Sequence, residues 1–88
     1  MPIISQFYGI LIYIYHEKFG QHHSPHFHAQ YGDHECSYDF AGEIIAGQLP
    51  RKQHKLVQAW CALHEDELNA AWKAWNEYGE IIKIEGLR

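Results

Sequence analysis

Two histidines separated by one residue, His26 and His28, have the side-chain type and spacing best suited to chemistry in this sequence. In a β-strand, residues two positions apart project to the same side, so both imidazoles can converge on one proton, ion or ligand. Imidazole changes charge near neutral pH, which suits it to general acid–base work and to metal ligation. The spacing therefore predicts a site on one face of a strand.

The strand that carries these histidines is predicted to belong to a tight hairpin. Gly32 and Asp33 separate the runs HFHAQY and ECSYDF, and glycine readily takes the positive φ that such a turn needs. With this pair at the centre of the turn, Phe27 faces Tyr38, and a slip of one residue would give Phe27 a polar partner. The predicted apolar face contains Phe27, Ala29, Cys36 and Tyr38, and the predicted polar face contains His26, His28, Gln30, Glu35, Ser37 and Asp39.

Three interpretations of the polar face remain open. In the first, His26 and His28 act as acid and base in a small hydrolase, with RNA as a candidate substrate, and Asp39, opposite His26 in this register, fixes its tautomer. In the second, a divalent metal such as zinc or nickel is bound within a group of four histidines in seven residues, by His26 and His28 together with His22, His23 or Glu35. In the third, the face is a solvated strand surface without a ligand.

A short basic segment, formed by Arg51, Lys52, His54 and Lys55, lies where a helix is predicted to begin. Pro50 suits the first helical position, and the N–H groups of a helix start can bind a phosphate together with cations. In the hydrolase interpretation, Arg51 or Lys52 contacts the phosphate. The alternatives are contact with a partner protein and an ordinary solvated helix face.

The remaining pattern predicts an α+β fold in a single domain that spans residues 1–88. A small antiparallel sheet, a meander of three to four strands, is expected to pack with one or two amphipathic helices. Phe7 to Tyr15 is predicted to be a central strand covered on both sides, and Glu43 to Leu49 to be the third strand of the meander. The segment from Ile81 to Glu85 has strand character and could return to the sheet.

The predicted helices follow Pro50 and end near Gly79, as two helices or one kinked helix. Their apolar stripes include Trp60, Trp72 and Trp75. Tryptophans at helical spacing are more often part of a core than a platform on which bases stack. We therefore expect these three residues to be structural.

Length and composition narrow the class of protein. A chain of 88 residues, 47% of them hydrophobic, supports one core, and it should fold alone or as a small oligomer. The net charge of −4 argues against sequence-independent nucleic-acid binding, which needs clustered cations. The apolar run from Gly9 to Tyr15 is too short to span a bilayer, and no secretory signal is visible. Cys36 and Cys61 fit no metal or redox spacing, which favours buried free thiols in the cytoplasm.

Several short blocks of this chain resemble one family of small bacterial proteins, domain of unknown function 4160. The blocks are Phe7-Tyr8-Gly9-Ile10, Pro25-His26-Phe27-His28-Ala29, Gly47-Gln48-Leu49-Pro50-Arg51, Trp60 and the segment from Glu67-Leu68 to Trp72. The resemblance covers nearly the whole chain, although Ser24 stands where the family usually has a second proline. Because members are often encoded beside another short protein, the resemblance implies a two-gene module of toxin–antitoxin type.

The function favoured by these expectations is that of a partner-binding component of such a module. Its partner would be the small protein encoded by the neighbouring gene, and His26 and His28 would shape a recognition or regulatory site. A histidine-dependent hydrolase and a divalent-metal-binding protein are the alternatives.

Overall fold

A computed structural model describes residues 2–14 and 24–88, which form an antiparallel sheet followed by two helices. The strands are β1 Ile3–Phe7, β2 Ile10–Tyr13, β3 His26–Tyr31, β4 His34–Asp39 and β5 Ile44–Gly47, and the helices are α1 Arg51–Leu63 and α2 Glu65–Tyr78. Each strand pairs with the next one in the chain, which gives the order β1-β2-β3-β4-β5. The predicted α+β class is confirmed, and the meander has five strands where three to four were expected.

The segment from Phe7 to Tyr15 was predicted as one strand. Its described residues, 7–14, contain the end of β1, a turn and all of β2, and Tyr15 lies outside the described residues. Tyr8 and Gly9 have positive φ angles of 48° and 78°, which are typical of the two central residues of a tight hairpin. Phe7 consequently pairs with Ile10. The single-strand prediction was wrong because the apolar residues form one unbroken run, whereas the reversal depends on a local backbone conformation that Gly9 permits.

The hairpin of β3 and β4 has the register predicted from its turn. Its six residue pairs include Phe27 with Tyr38 and His28 with Ser37. Strand alternation places Phe27 and Tyr38 on one face, where their rings stack with centroids 5.4 Å apart. His28 and Ser37 therefore lie on the other face of the sheet.

The strand predicted from Glu43 to Leu49 is shortened to β5, because the backbone changes direction at Gly47. Gly47 has a φ of 77°, and a Cβ at this position would collide with the carbonyl oxygen of Glu35. The same carbonyl accepts a hydrogen bond from the backbone N–H of Gln48 at 3.1 Å. Only glycine fits this close approach, so Gly47 ends the strand and directs the chain toward α1.

Trp60 lies at the centre of the core between the helices and one face of the sheet. Its side chain is fully buried, with ring centroids 5.5 Å from Phe7 and 5.6 Å from Phe27. The indole N–H donates a hydrogen bond to the carbonyl oxygen of Glu85 at 2.9 Å, so burial leaves this donor satisfied. The predicted structural position of Trp60 is confirmed.

The helical region divides at His64, whose φ of −121° interrupts the helical backbone. The second helix ends at Gly79, a left-handed residue whose N–H donates to the carbonyl oxygen of Trp75 at 3.0 Å. Trp72 and Trp75 are partly buried against the core. Two helices that end at Gly79 confirm the prediction. Neither helix in the described part of the chain is long and apolar enough to cross a membrane.

The segment from Ile81 to Glu85 forms no strand, in contrast to the suggested return to the sheet. It is instead attached to β1 by one backbone hydrogen bond, in which Ile84 donates to the carbonyl oxygen of Ile4 at 2.7 Å. The side chain of Ile84 is buried. This segment thus covers one end of the core without extending the ladder.

Replacing Trp60 by alanine should lower the free energy of unfolding by about 3–5 kcal/mol, because a large buried ring and its contacts are lost. Leu63→Ala is the control in the same helix, since Leu63 is 69% exposed. We expect this control to change stability by less than about 0.5 kcal/mol. Urea denaturation followed by circular dichroism measures both values, and equal losses would contradict the central position of Trp60.

Gly47→Ala should destabilise the protein more than Gly32→Ala, although both glycines have positive φ angles. A Cβ at Gly32 meets open space, so that substitution adds backbone strain alone, about 1–2 kcal/mol. At Gly47 the collision with the Glu35 carbonyl is added to the strain. Thermal melts of the two variants test this order, and equal melting temperatures would show that the carbonyl imposes no restriction.

Candidate functional site

His26 and His28 lie side by side on the sheet face opposite Phe27, and both are buried. Only 3% of His26 and 4% of His28 is exposed. Their rings meet edge-on, with centroids 5.1 Å apart. The interpretation of a solvated strand face is therefore wrong for these two residues, because neither ring has a hydrated surface.

Tyr13 in β2 covers His28 from the neighbouring strand. The two residues are partners in the β2–β3 ladder, and their rings stack with centroids 5.3 Å apart and planes 13° apart. The Tyr13 hydroxyl donates a hydrogen bond of 2.7 Å to Oε1 of Glu35 in β4. This bond crosses over β3, so three strands are connected around one imidazole.

Two oxygen atoms from β4 lie close to Nδ1 of His28. The Ser37 hydroxyl oxygen is 3.3 Å away and Oε1 of Glu35 is 3.7 Å away. The side chain of Glu35 is 54% exposed, whereas that of His28 is 6% exposed. The Ser37 hydroxyl can donate to this nitrogen or accept from it, depending on the ring tautomer. We refer to Tyr13, His26, His28, Glu35 and Ser37 as the histidine cluster.

His26 is oriented by the backbone that precedes it. Its Nδ1 donates a hydrogen bond of 2.8 Å to the carbonyl oxygen of Ser24. Because a carbonyl can only accept, the neutral ring carries its hydrogen on Nδ1 and its lone pair on Nε2. Trp72 of α2 packs against the His26 ring at 5.3 Å and meets Phe40 edge-on at 6.1 Å. The histidine cluster is thereby connected to the helical layer.

Asp39 pairs with His26 in the ladder, as the predicted register requires. Its Oδ1 accepts hydrogen bonds from the backbone N–H groups of Ala41 at 2.9 Å and Glu43 at 3.0 Å. This oxygen stabilises the turn that leads to β5. The sequence predicts that the Asp39 carboxylate accepts a hydrogen bond from His26 and so orients its ring. At Nδ1 of His26, the acceptor in the structure is the carbonyl oxygen of Ser24.

Two of the four histidines predicted to bind a metal, His26 and His28, are in contact. His22 and His23 lie outside the described residues. Within residues 2–14 and 24–88, no group of three or more His, Cys, Asp or Glu side chains is arranged to hold a metal ion. Of the predicted ligands, the described part of the chain therefore supplies the imidazoles of His26 and His28 and no complete ligand set.

Three residues of the basic segment, Arg51, Lys52 and Lys55, lie exposed on the first turns of α1, whereas the fourth, His54, does not. This helix has no acidic residue in its first turn and no side-chain cap. His54, in the same turn, points inward, with Nδ1 2.8 Å from the hydroxyl of the buried Tyr38. Since Tyr38 belongs to the core face, α1 approaches the sheet from the side opposite the histidine cluster.

Burial keeps the two cysteines and one tyrosine of the core protonated. It raises the pKa of Cys61 to about 11, and the negative charges of Glu65 and Asp39 contribute to this increase. Burial also raises the pKa of Cys36 and that of Tyr38. Because the thiolate is the nucleophilic form of cysteine, neither thiol is activated for catalysis. The prediction of buried free thiols is confirmed.

Tyr13 and Trp72 contact the histidines, yet the sequence indicates neither as a site residue. The register between β2 and β3 depends on a connection of twelve residues, for which no short turn sets the pairing. The contact of Trp72 with His26 depends on how α2 packs beside the sheet. The local signals for the site were the histidine spacing and the Gly32-Asp33 turn, which placed Glu35 and Ser37 on the face of the histidines.

His28→Ala should lower the free energy of unfolding by about 1–3 kcal/mol, because it removes the ring that stacks on Tyr13 and contacts Ser37. His34→Ala is the matched control, since His34 is an exposed histidine of the same hairpin. We expect the control to lose less than about 0.5 kcal/mol. Urea denaturation at pH 7 provides both values, and equal losses would argue against a structural contribution from the histidine cluster.

Comparison with known proteins identifies the family of this chain. No curated protein and no solved structure matches it. A family model described as domain of unknown function (DUF4160) matches residues 9–73. The matched region extends from the first hairpin turn into α2 and contains every residue of the histidine cluster. The chain therefore belongs to the DUF4160 family.

Proposed function

We propose that this protein is the partner-binding component of a two-gene module of toxin–antitoxin type, and that it binds the small protein encoded by the neighbouring gene. One observation carries the proposal: in the described part of the chain, β5 pairs with β4 alone and leaves its other edge open. An open edge presents backbone N–H and C=O groups that can pair with a strand from another chain. Strand addition is therefore the binding mode that this sheet supports best.

The side chains of β5 are consistent with an edge that a partner covers. Ile44 is 45% exposed, and Ala46 and Gly47 are exposed as well. The strand contains no charged residue and no proline. Natural proteins commonly place lysine or proline on an edge strand to prevent association. The absence of lysine and proline from this apolar edge strand supports a function in which another chain pairs with it.

A shallow depression of about 200 Å³ lies next to this edge. It is lined by Glu35, Cys36, Ser37, Ala46 and Gly47. Glu35 and Ser37 are also members of the histidine cluster and lie close to Nδ1 of His28. The buried histidines would thus shape the recognition surface from below, because they orient side chains that line it.

The proposal places the module in the bacterial cytoplasm. Cys36 and Cys61 are both free and buried. Free thiols are usual in a reducing compartment, whereas secreted proteins of this size commonly use their cysteines in disulfides. The two thiols support the cytoplasmic assignment.

A charge placed on the open edge should prevent binding. Ile44→Lys in the full chain is expected to weaken the affinity for the purified neighbouring gene product by at least about tenfold, because the charge must be desolvated in a strand pair. Ile81→Lys is the matched control, since Ile81 is 47% exposed and lies outside the sheet. Isothermal titration calorimetry measures both affinities.

Two results would count against this proposal. Absence of any interaction between the parent chain and the neighbouring gene product would remove the proposed partner. Equal affinities of the two lysine variants and the parent chain would remove the β5 edge as the binding surface. Circular dichroism of each variant ensures that a loss of binding does not reflect a loss of fold.

A further inference from the structure

We infer that β5 and a row of cations on α1 form one docking surface, which accepts an extended, acidic segment of the partner as a sixth strand. The inference rests on the proposed function, because it specifies the chemistry of the partner at the same sheet edge. It assigns the basic segment at the start of α1 to protein recognition.

The start of α1 runs alongside the open edge strand. Three residues, 48–50, connect the end of β5 to Arg51. Seven residues farther along the helix, Nε2 of Gln58 donates a hydrogen bond of 3.1 Å to the carbonyl oxygen of Gly42, just before β5 begins. Both ends of the strand are therefore tied to α1, and the helix runs antiparallel to it.

Helical periodicity aligns two cations with this contact. Arg51, Lys55 and Gln58 occupy positions i, i+4 and i+7, which share one face of a helix. Both cations are exposed. The ion pairs formed within the described residues involve neither Arg51 nor Lys55. A row of available positive charge consequently follows the β5 edge.

The location of these cations is unfavourable in the protein alone. The N-terminal end of a helix carries a partial positive charge, which stabilises acidic side chains and destabilises basic ones. The first turn of α1 contains Arg51 and Lys52 but no acidic residue, and it has no side-chain cap. Carboxylates of a bound strand would offset the positive charge of the two cations and the partial positive charge at the start of the helix.

The charges of the surface also predict where along the docked segment its acidic residues should lie. Glu43, which immediately precedes β5 at the end far from Arg51, is exposed and would repel a carboxylate. Glu35, which is exposed and lines the depression beside Gly47, lies on the sheet face opposite α1. The acidic residues of the docked segment should therefore lie near Gly47 with their carboxylates toward α1, and apolar or basic residues near Glu43. A uniform polyanion such as RNA fits this surface less well. Glu43 would repel its phosphates, the apolar Ile44 offers them no hydrogen bond, and the net charge of −4 opposes binding of any polyanion.

The test is a double charge reversal, Arg51→Glu with Lys55→Glu, in the full chain. Its affinity for the purified neighbouring gene product should fall at least about tenfold at low salt, mainly through slower association, and the difference should narrow at about 0.5 M salt. Lys73→Glu with Lys83→Glu is the control, with the same change in charge at two exposed lysines elsewhere. Surface plasmon resonance measures the rates for the parent and both variants.

The segment itself is identified with overlapping synthetic peptides that span the neighbouring gene product. The peptide that competes for binding should be acidic toward one end, and it should lose affinity in the double reversal. A competing peptide without acidic residues would overturn the inference. So would dimers of this chain that Ile44→Lys dissociates, since a second copy would then occupy the edge.

The remaining outcomes separate this inference from the proposed function. If Ile44→Lys abolishes binding and the double reversal does not, the strand edge is correct and the acidic partner is wrong. If neither variant weakens the binding of the neighbouring gene product, partner binding stands and the docking surface is wrong. If the parent chain fails to bind that protein, the proposed function fails. A single-stranded RNA oligonucleotide that binds the parent but not the double reversal would assign the cations to nucleic acid.

Discussion

Six consecutive residue pairs join β3 to β4, and this ladder determines which side chains can meet elsewhere in the sheet. Side chains alternate between the two faces of a strand. The register that places Phe27 in the core therefore also places His28 on the opposite face. A shift by one residue would turn an aromatic ring out of the core and a histidine into it. The neighbouring strands add their side chains to two faces that this hairpin has already defined.

The two faces are closed by different interactions. On the core face, Trp60 fills the space between sheet and helices and contacts Phe7 and Phe27. On the other face, Tyr13 stacks on His28 and donates a hydrogen bond to Glu35. Burial of apolar side chains stabilises the core face, and this stabilisation does not depend on the direction of individual contacts. The buried polar groups of the other face need hydrogen-bond partners at defined positions. The histidine cluster consequently orients the three central strands, β2, β3 and β4, more than it contributes driving force for folding.

The end of the sheet is determined by backbone geometry at Gly47. The close approach of this residue to the Glu35 carbonyl ends β5, and the three residues that follow lead directly into α1. The short connection keeps the start of the helix beside the strand, and the Gln58–Gly42 hydrogen bond ties its second half there. One glycine thus brings an apolar edge and a row of cations together, which is the basis of the proposed recognition of an acidic strand.

Local signals in the sequence were sufficient to predict the hairpin register, the helical region and its end at Gly79. Each depends on residues close in the chain: a turn pair, a 3.6-residue stripe or a left-handed glycine. The turn at Tyr8 and Gly9 was missed because an unbroken apolar run surrounds it. The sequence by itself therefore determined that His26 and His28 share one face of a strand. Only the tertiary structure decided that this face is buried, because Tyr13 and Trp72 reach it through contacts between segments far apart in the chain.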